Sequence, residues 1–400
     1  MMNFRCGLIA GRRALLGAAF VLGLTPNVAH AIPAWARRYN MNCTGCHYPV
    51  PPVLNADGLA FKWAGYRMPD QVGKNVEVTK IGDYLAARGI FQYVWTQTSG
   101  QPADNNSISI PSASIWAAGP LGKWFGGFLE LEASPDHTVG VMARAAGTWG
   151  NENSFGGVEI WQGHLLSEGQ VAGLDRAIGP NTPLPIDAPI GAIPFVFADH
   201  TGMDVSWVWG KTDRLALGVG NSMDPVNPGG TVRPRQDVFV SNQYIWDDNG
   251  GGLNLVGYYG SATAVDPAFL DATSHYYRVA ATANHWFGNF EATGGYVYGK
   301  DMDLPTGGAF TNNSLTGQAY WLGAGYTLKQ SYLTIYGRWE VLDPNKDVSN
   351  DQTTRWVFGG VAPLMTPQNI RLDLEYFHDT PQLSGAPTIQ GLFIELQLAY

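Results

Sequence analysis

From residue 84 to the C-terminus, the sequence is a series of segments in which apolar and polar side chains alternate. Alternation with period 2 puts successive side chains on opposite faces of a β-strand. Most segments are close to the roughly 9–11 residues with which a tilted strand crosses a bilayer, and an even strand number is typical of bacterial barrels. The predicted strands are 84–97, 109–119, 123–132, 138–149, 154–165, 201–210, 213–222, 236–246, 251–262, 274–286, 289–299, 315–327, 331–342, 352–362, 368–378 and 389–400.

The alternation separates an apolar face, suited to lipid, from a polar face, suited to a lumen. The separation is clear in 333–340, 369–376 and 393–400. Acids and arginines on the polar face are expected to pair in the lumen: Glu340, Asp373, Glu375, Arg338 and Arg371. The terminal aromatic Tyr400 resembles the assembly signal of outer-membrane barrels.

Connections between the predicted strands alternate in length. Even-numbered strands are followed by short links such as 120–122 and 211–212. Most odd-numbered strands are followed by longer links: 98–108, 166–200, 223–235, 263–273, 300–314, 343–351 and 379–388. The short link 133–137 is an exception. Short periplasmic turns and long outer loops are the rule for such barrels, so both termini are expected to face the periplasm.

Composition agrees with this topology. Only 14% of the 400 residues are charged, against about 25% in ordinary soluble proteins, while the chain has 50 Gly, 14 Trp, 18 Tyr and 17 Phe. The predicted fold class is all-β: a sixteen-stranded antiparallel transmembrane β-barrel, surrounded by lipid in the outer membrane of a Gram-negative bacterium. A secreted β-sandwich or propeller is the alternative.

Residues 1–31 read as a signal peptide that precedes an N-terminal segment at 32–82 and the barrel at 83–400. A basic n-region is followed by the apolar run Leu15 to Leu24 and the small-x-small site Ala29-His30-Ala31. Cleavage would remove three of the 24 basic residues and none of the 33 acidic ones, leaving 21 and 33 and a net charge of −12. That balance argues against nucleic acid as a partner.

The N-terminal segment contains Cys43-Thr44-Gly45-Cys46-His47, the pattern to which c-type haem is attached. Two thiols bond to the haem vinyl groups, and the adjacent histidine coordinates the iron from one face. A disulfide, a zinc site and a thioredoxin-like redox pair are the alternatives. A redox pair does not need His47, and a four-ligand zinc site lacks two further cysteines. One covalent haem c is therefore the predicted cofactor.

The second axial ligand of the haem iron is less constrained by the sequence. Between Tyr48 and Ile81 there is no histidine, and Met68 is the one methionine. A thioether at Met68 would raise the haem potential. Alternatively Met68 only packs, and the site is filled by Met41, by a barrel side chain or by water. Four residues are expected to pack against the haem edge: Leu54, Phe61, Trp63 and Tyr66.

The blocks 33–39, 43–47 and 52–66 resemble one known family, the fused cytochrome–porins of iron-oxidising bacteria. The barrel matches this family in length, strand number and position. The resemblance implies an Fe(II):cytochrome c oxidoreductase that oxidises extracellular Fe(II). The electron would pass through the single haem to a periplasmic c-type cytochrome or cupredoxin.

Loop acids and histidines are candidates for holding Fe(II) briefly, because oxygen and imidazole ligands suit this cation. They are Asp136, His137, Asp199, His200, Asp266, Asp271, Asp301, Asp303, His378 and Asp379. Two other functions remain open. The chain could be a solute porin with a haem-bearing plug, or it could export electrons to an extracellular acceptor.

Overall fold

The structure is a computed structural model. It describes residues 34–49, 51, 53–77, 80–136, 138–164, 180, 183–193, 195–197, 199–222, 233–234, 237–364 and 369–399. The predicted signal peptide, Pro52, His137 and Tyr400 lie outside these residues, and so do the side chains of Asp199 and His164.

Sixteen antiparallel strands form one closed sheet in the described part of the chain. In order, β1 to β16 are Leu85–Thr98, Asn105–Leu121, Phe125–Ala133, Val139–Asn151, Ser154–His164, Asp199–Trp209, Asp213–Ser222, Asp237–Ile245, Gly252–Thr263, Thr273–Phe287, Phe290–Met302, Ser314–Leu328, Leu333–Asp343, Thr353–Pro363, Ile370–Pro381 and Ile389–Ala399. A further two-residue piece, Arg233–Pro234, pairs with the end of β9.

Each strand pairs with its sequence neighbours, and β1 closes the barrel by pairing with β16 from Arg88↔Ala399 to Thr98↔Ile389. The predicted fold class is thereby confirmed, and each of the sixteen predicted segments overlaps one strand. The largest difference at a strand start is in β2, which begins at Asn105 rather than at 109. Residues Asn105 to Ser109 pair with β1, and this pairing extends β2 beyond its predicted start.

The alternation sorts the two faces of the barrel as predicted. On β15 and β16, Leu372, Leu374 and Ile394 are exposed, whereas Asp373 and Glu395 are buried inside. A closed barrel satisfies all interstrand hydrogen bonds without an edge, which a bilayer requires. The exposed apolar belt therefore confirms the predicted location in an outer membrane. Among the described residues, no helix is long and apolar enough to span a membrane.

Two of the predicted lumen pairs are present. Arg338 contacts Glu340, and Arg371 lies 2.9 Å from Asp373. Glu375 instead accepts a hydrogen bond of 2.7 Å from the hydroxyl of Tyr336. All three carboxylates are buried, so each needs a partner on the inner wall.

Two stretches of chain enter the lumen. The first, here called the N-terminal segment, is the described part of 34–83, with helices α1 (Ala34–Tyr39) and α2 (Ala56–Trp63) and 3₁₀ turns at Cys43–Gly45, Pro69–Gln71 and Ile81–Asp83. The second, here called the inner loop, is the described part of 183–197, with the short helix α3 (Leu184–Asp187).

The inner loop belongs to link 166–200, which the sequence suggests is an outer loop. The structure folds this part of the link inward instead. The inner loop has five buried apolar side chains: Ile186, Ile190, Ile193, Phe195 and Phe197. They lie in one cluster with inward-facing aromatic residues of the wall. Burial of these apolar side chains against the wall stabilises the inward position of the loop. The pattern of the strands alone does not predict that position.

Candidate functional site

A cavity of about 250 Å³ lies between the N-terminal segment and the inner wall at the ends of β1, β2, β3, β15 and β16 that adjoin the short turns. Short turns mark the periplasmic side, so the cavity lies at the periplasmic end of the lumen. All four residues predicted to attach or ligate the haem line it: Cys43, Cys46, His47 and Met68.

The turn that carries the two cysteines is held by its own backbone and by Asn55. The amides of Cys46 and His47 donate to the carbonyl of Cys43 at 3.1 and 2.9 Å. Asn55 donates from its side chain to Thr44 and from its backbone to Cys46, and its side-chain oxygen caps α2 by accepting from Gly58 at 2.9 Å. The cap therefore ties α2 to the cysteine turn.

Gly58 is the point of closest approach between α2 and this turn. A Cβ at Gly58 would overlap the carbonyl oxygen of Cys46. The position therefore needs glycine for space and not for its backbone conformation.

Both thiols are free, and neither is part of a disulfide. Burial raises the pKa of each thiol to about 11, with smaller contributions at Cys46 from Asp57 and Cys43. Among the described residues no group of three His, Cys, Asp or Glu side chains is placed to hold a metal ion. The pair is therefore arranged as two protonated thiols beside a cavity.

The imidazole of His47 is oriented by the backbone. Its Nδ1 lies 3.1 Å from the carbonyl oxygen of Val53. With the proton on Nδ1, this contact is a hydrogen bond that fixes the ring and makes Nε2 the basic nitrogen. Histidines that bind metals commonly donate their second ring nitrogen in this way.

Met68 and Met41 both line the cavity, so both remain candidates for the second ligand. Met68 is held by Gln71, whose side-chain oxygen accepts from the amide of Met68 at 3.3 Å and from the hydroxyl of Tyr39 at 2.9 Å. Met41 packs over Gly45 inside the cysteine turn. Among the residues that the structure describes, those that line the cavity from the barrel strands include neither histidine nor methionine.

Aromatic rings form one side of the cavity. Trp35 and Tyr66 stack at 5.8 Å between ring centroids, and Tyr66 stacks on Phe128 at 5.6 Å. Phe61 meets Trp35 and Tyr39 edge-on at 5.8 Å in each case. Flat apolar surfaces of this kind suit a planar conjugated ligand.

Three of the four residues expected to pack against the haem edge line the cavity: Leu54, Phe61 and Tyr66. Trp63 does not. It is buried against Phe155, Val208 and Ile245 of the barrel wall, because the helical turn of α2 directs it away from Phe61 and toward the strands.

The N-terminal segment is fixed to the barrel by two buried arginines. Arg67 donates to the carbonyls of Lys123 at 2.7 Å, Gly122 at 3.4 Å and Phe125. Arg144 of β4 donates to the carbonyl of Lys62 at 3.2 Å, and its guanidinium lies 5.4 Å from the ring centre of Tyr66. The side chains that form the cavity therefore have a fixed position relative to the wall.

Most acids and histidines suggested as Fe(II) ligands have other partners in the structure. Asp301 binds Arg278, Asp379 binds Arg355, and Asp303 binds His275. Asp266 accepts from two backbone amides, and the ring of His200 lies 2.8 Å from the carbonyl of Val196. Asp136 and Asp271 are exposed and His378 is half-buried. The described residues thus bring none of these suggested ligands together as a metal site.

Sequence reasoning did not identify the part of the cavity that the barrel supplies. The cavity is also lined from β1, β2, β3 and β15 and from the residue that precedes β15: Arg88, Trp116, Glu130, Arg371 and Asn369. The alternation pattern predicts which side chains point inward, but it does not indicate that these strands meet the N-terminal segment.

The sequence matches no protein-family model and no curated protein. The fold is similar to solved outer-membrane channels. The outer membrane channel DcaP of Acinetobacter baumannii is 10% identical with a TM-score of 0.56, covering 79% of this chain and 97% of that one. The anion-selective porin from Comamonas acidovorans is 14% identical with a TM-score of 0.56 over 79% and 99%. OmpT of Vibrio cholerae is 11% identical with a TM-score of 0.53 over 79% and 97%.

Proposed function

We propose that this protein carries one covalent haem c in the periplasmic cavity and conducts electrons from extracellular Fe(II) to a periplasmic c-type cytochrome or cupredoxin. The observation that carries the proposal is the meeting of Cys43, Cys46, His47 and Met68 in one cavity of a membrane barrel. Fe(II) as the donor is supported by the sequence resemblance at 33–39, 43–47 and 52–66.

The residues that line the cavity fit a haem c. Cys43 and Cys46 are free thiols that can form the two thioether bonds. His47 is held through Nδ1, so Nε2 is the nitrogen that would bind iron. Met68 would be the second ligand, and the rings of Trp35 and Tyr66 would keep water from the porphyrin. When bound, the haem supplies a one-electron site whose potential a methionine ligand raises.

The overall reaction balances with one electron. Each Fe(II) loses one electron outside the cell and becomes Fe(III), and each periplasmic carrier gains that electron. Fe(III) precipitates near neutral pH, so oxidation on the outer side keeps the mineral out of the cell. Weak binding of Fe(II) by scattered acids is compatible with a donor that must leave after each turnover.

The test combines haem detection with rapid kinetics on the purified full chain. We expect haem-dependent staining after denaturing electrophoresis, which shows covalent attachment. Mixing the oxidised protein with Fe(II) in a stopped-flow spectrometer should then produce the reduced c-type bands. Reduction by dithionite without reduction by Fe(II) at any pH tested would overturn the choice of Fe(II) as donor.

A solute porin with a haem-bearing plug is the second candidate, and the structural similarity to porins favours it. The two hypotheses differ in ion conduction. The electron-transfer hypothesis predicts low conductance for the barrel in a planar bilayer, because the N-terminal segment and the inner loop both occupy the lumen. A wide, stable conductance would favour the porin. A low haem potential would instead favour electron export.

A further inference from the structure

The cavity is lined by more positive than negative side chains. Among the described residues of the lining, Lys62, Arg88 and Arg371 are cationic and Glu130 is the one acid. Both arginines also contact acids of the wall: Arg88 lies 3.1 and 3.4 Å from Glu130 and Glu132, and Arg371 lies 2.9 Å from Asp373. Arg88 and Arg371 belong to the barrel wall, whereas the two cysteines belong to the N-terminal segment.

The two arginines are neighbours across one strand. Arg88 of β1 pairs with Ala399 of β16, and Arg371 of β15 pairs with Gln397 of the same strand. Adjacent strands lie about 4.8 Å apart, and two residues along a strand add about 6.6 Å. Long arginine side chains can therefore reach two carboxylates that belong to one ligand.

Both arginine side chains are held in position on the wall. Arg88 donates to Ser112, Ser114, Glu130 and Glu132, and its guanidinium lies 5.2 Å from the ring centre of Trp116. Arg371 lies 2.9 Å from Asp373. In the described part of the chain, Nε of Arg88 and Nε of Arg371 are buried without a hydrogen-bond partner, so each guanidinium can donate to a further acceptor.

Haem has its two vinyl groups along one edge and its two propionates along the opposite edge. Thioether bonds to Cys43 and Cys46 would put the vinyl edge at the N-terminal segment and direct the propionates to another wall of the cavity. Resting on the proposed function, we propose that Arg88 and Arg371 bind the two haem propionates. The side-chain amides of Asn369 and Gln397, which also line the cavity, stand beside them.

The proposal explains why arginines stand at this wall. Arginine is suited to carboxylates, because its planar fork forms paired hydrogen bonds with them. Cations close to the haem disfavour the more positive oxidised iron, so the wall would raise the haem potential.

The test is redox titration of the haem-loaded full chain, followed by visible absorbance, for the variants Arg88→Gln, Arg371→Gln and both together. We expect each single variant to lower the midpoint potential. The double variant should shift the haem equilibrium about tenfold, or 59 mV for one electron. Arg371→Lys should lie between wild type and Arg371→Gln, because it keeps the charge and loses the fork.

The matched control is Arg355→Gln. Arg355 also faces the lumen and is paired with a carboxylate, Asp379, but it is not among the residues that line the cavity. Potentials of the Arg88 and Arg371 variants that equal that of the control would overturn the proposal. If Arg88→Gln fails to assemble a heat-modifiable barrel, the midpoint potentials of Arg371→Gln and Arg371→Lys test the proposal on their own. A wild-type chain without haem would overturn the proposed function itself.

Discussion

The N-terminal segment and the inner loop both enter the lumen, and both are fixed by hydrogen bonds between a buried side chain of one partner and the backbone of the other. Arg67 of the N-terminal segment donates to backbone carbonyls of the wall, around the turn that joins β2 to β3. The inner loop is held from the wall. Asp301 accepts from the amides of Ala192 and Ile193 at 2.6 and 2.9 Å, and Glu340 accepts from Leu184 at 2.6 Å.

The two segments differ in what lies between them and the wall. The apolar side chains of the inner loop pack directly on wall aromatics, with Ile190 2% and Phe197 2% exposed. The N-terminal segment meets the wall around a cavity of about 250 Å³ lined by thiols, thioethers and an imidazole. Close packing is the ordinary state of a protein interior, so the hollow contact leaves room for the proposed haem, whereas the filled contact leaves none.

The largest expected difference between the N-terminal segment and the inner loop is the effect of their variants on the proposed haem. We expect Cys43→Ala with Cys46→Ala to abolish covalent haem, because no thioether can form, while the barrel still assembles. Haem staining and heat-modifiable migration on gels measure the two properties. The Asp301→Asn variant serves as the control and should keep full staining. Staining of the double-cysteine variant would contradict the assignment of the attachment site.

A smaller effect distinguishes the two methionines of the cavity. Met68→Leu should lower the haem midpoint potential and change the visible spectrum, because a thioether ligand raises the potential. Met41→Leu, a substitution of the same size in the same cavity, should leave both nearly unchanged. The opposite pattern would assign the ligand to Met41. No change in either variant would show that water or another group fills the site.

Loosening the inner loop from the wall should let more ions pass through the lumen without affecting the haem. Asp301→Asn removes the ionic partner of Arg278, which lies 2.9 Å away, and weakens the acceptor for two loop amides. Breaking a buried pair costs about 3–5 kcal/mol. We expect larger and more variable conductance in planar bilayers with an unchanged haem spectrum. Asp303→Asn is the control, since its pair with His275 is exposed. Equal conductance in both variants would show that the inner loop does not limit ion flow.

The last prediction concerns the attachment of the N-terminal segment. Arg67→Met removes charged donors from backbone carbonyls at a fully buried site, and each such bond contributes about 1.5–3 kcal/mol. Proteases should then cleave the N-terminal segment faster while the barrel stays intact. Arg37→Met is the control, because Arg37 also donates to two backbone carbonyls but at an exposed site. Equal cleavage of both variants would contradict the role given to Arg67.

The sequence by itself determined the barrel and identified the residues that we propose attach the haem. Strand positions follow from alternation, because in a bilayer each side chain of a strand must face either lipid or lumen. Cys43, Cys46 and His47 were identifiable as candidates, because haem attachment and ligation would depend on spacing within five residues. In the same way, the pairing of Arg371 with Asp373 was predictable from positions two residues apart on one face.

Only the tertiary structure decided what fills the lumen and what completes the cavity. Link 166–200 has the length of an outer loop, but packing of Ile190 and Phe195 on wall aromatics turns it inward. Arg88 and Arg371 are 283 positions apart, and only barrel closure through β16 brings them to one cavity. Local spacing fixes contacts along one strand or turn. Contacts between distant segments depend on which burial is most favourable for the whole chain, and no local pattern records that.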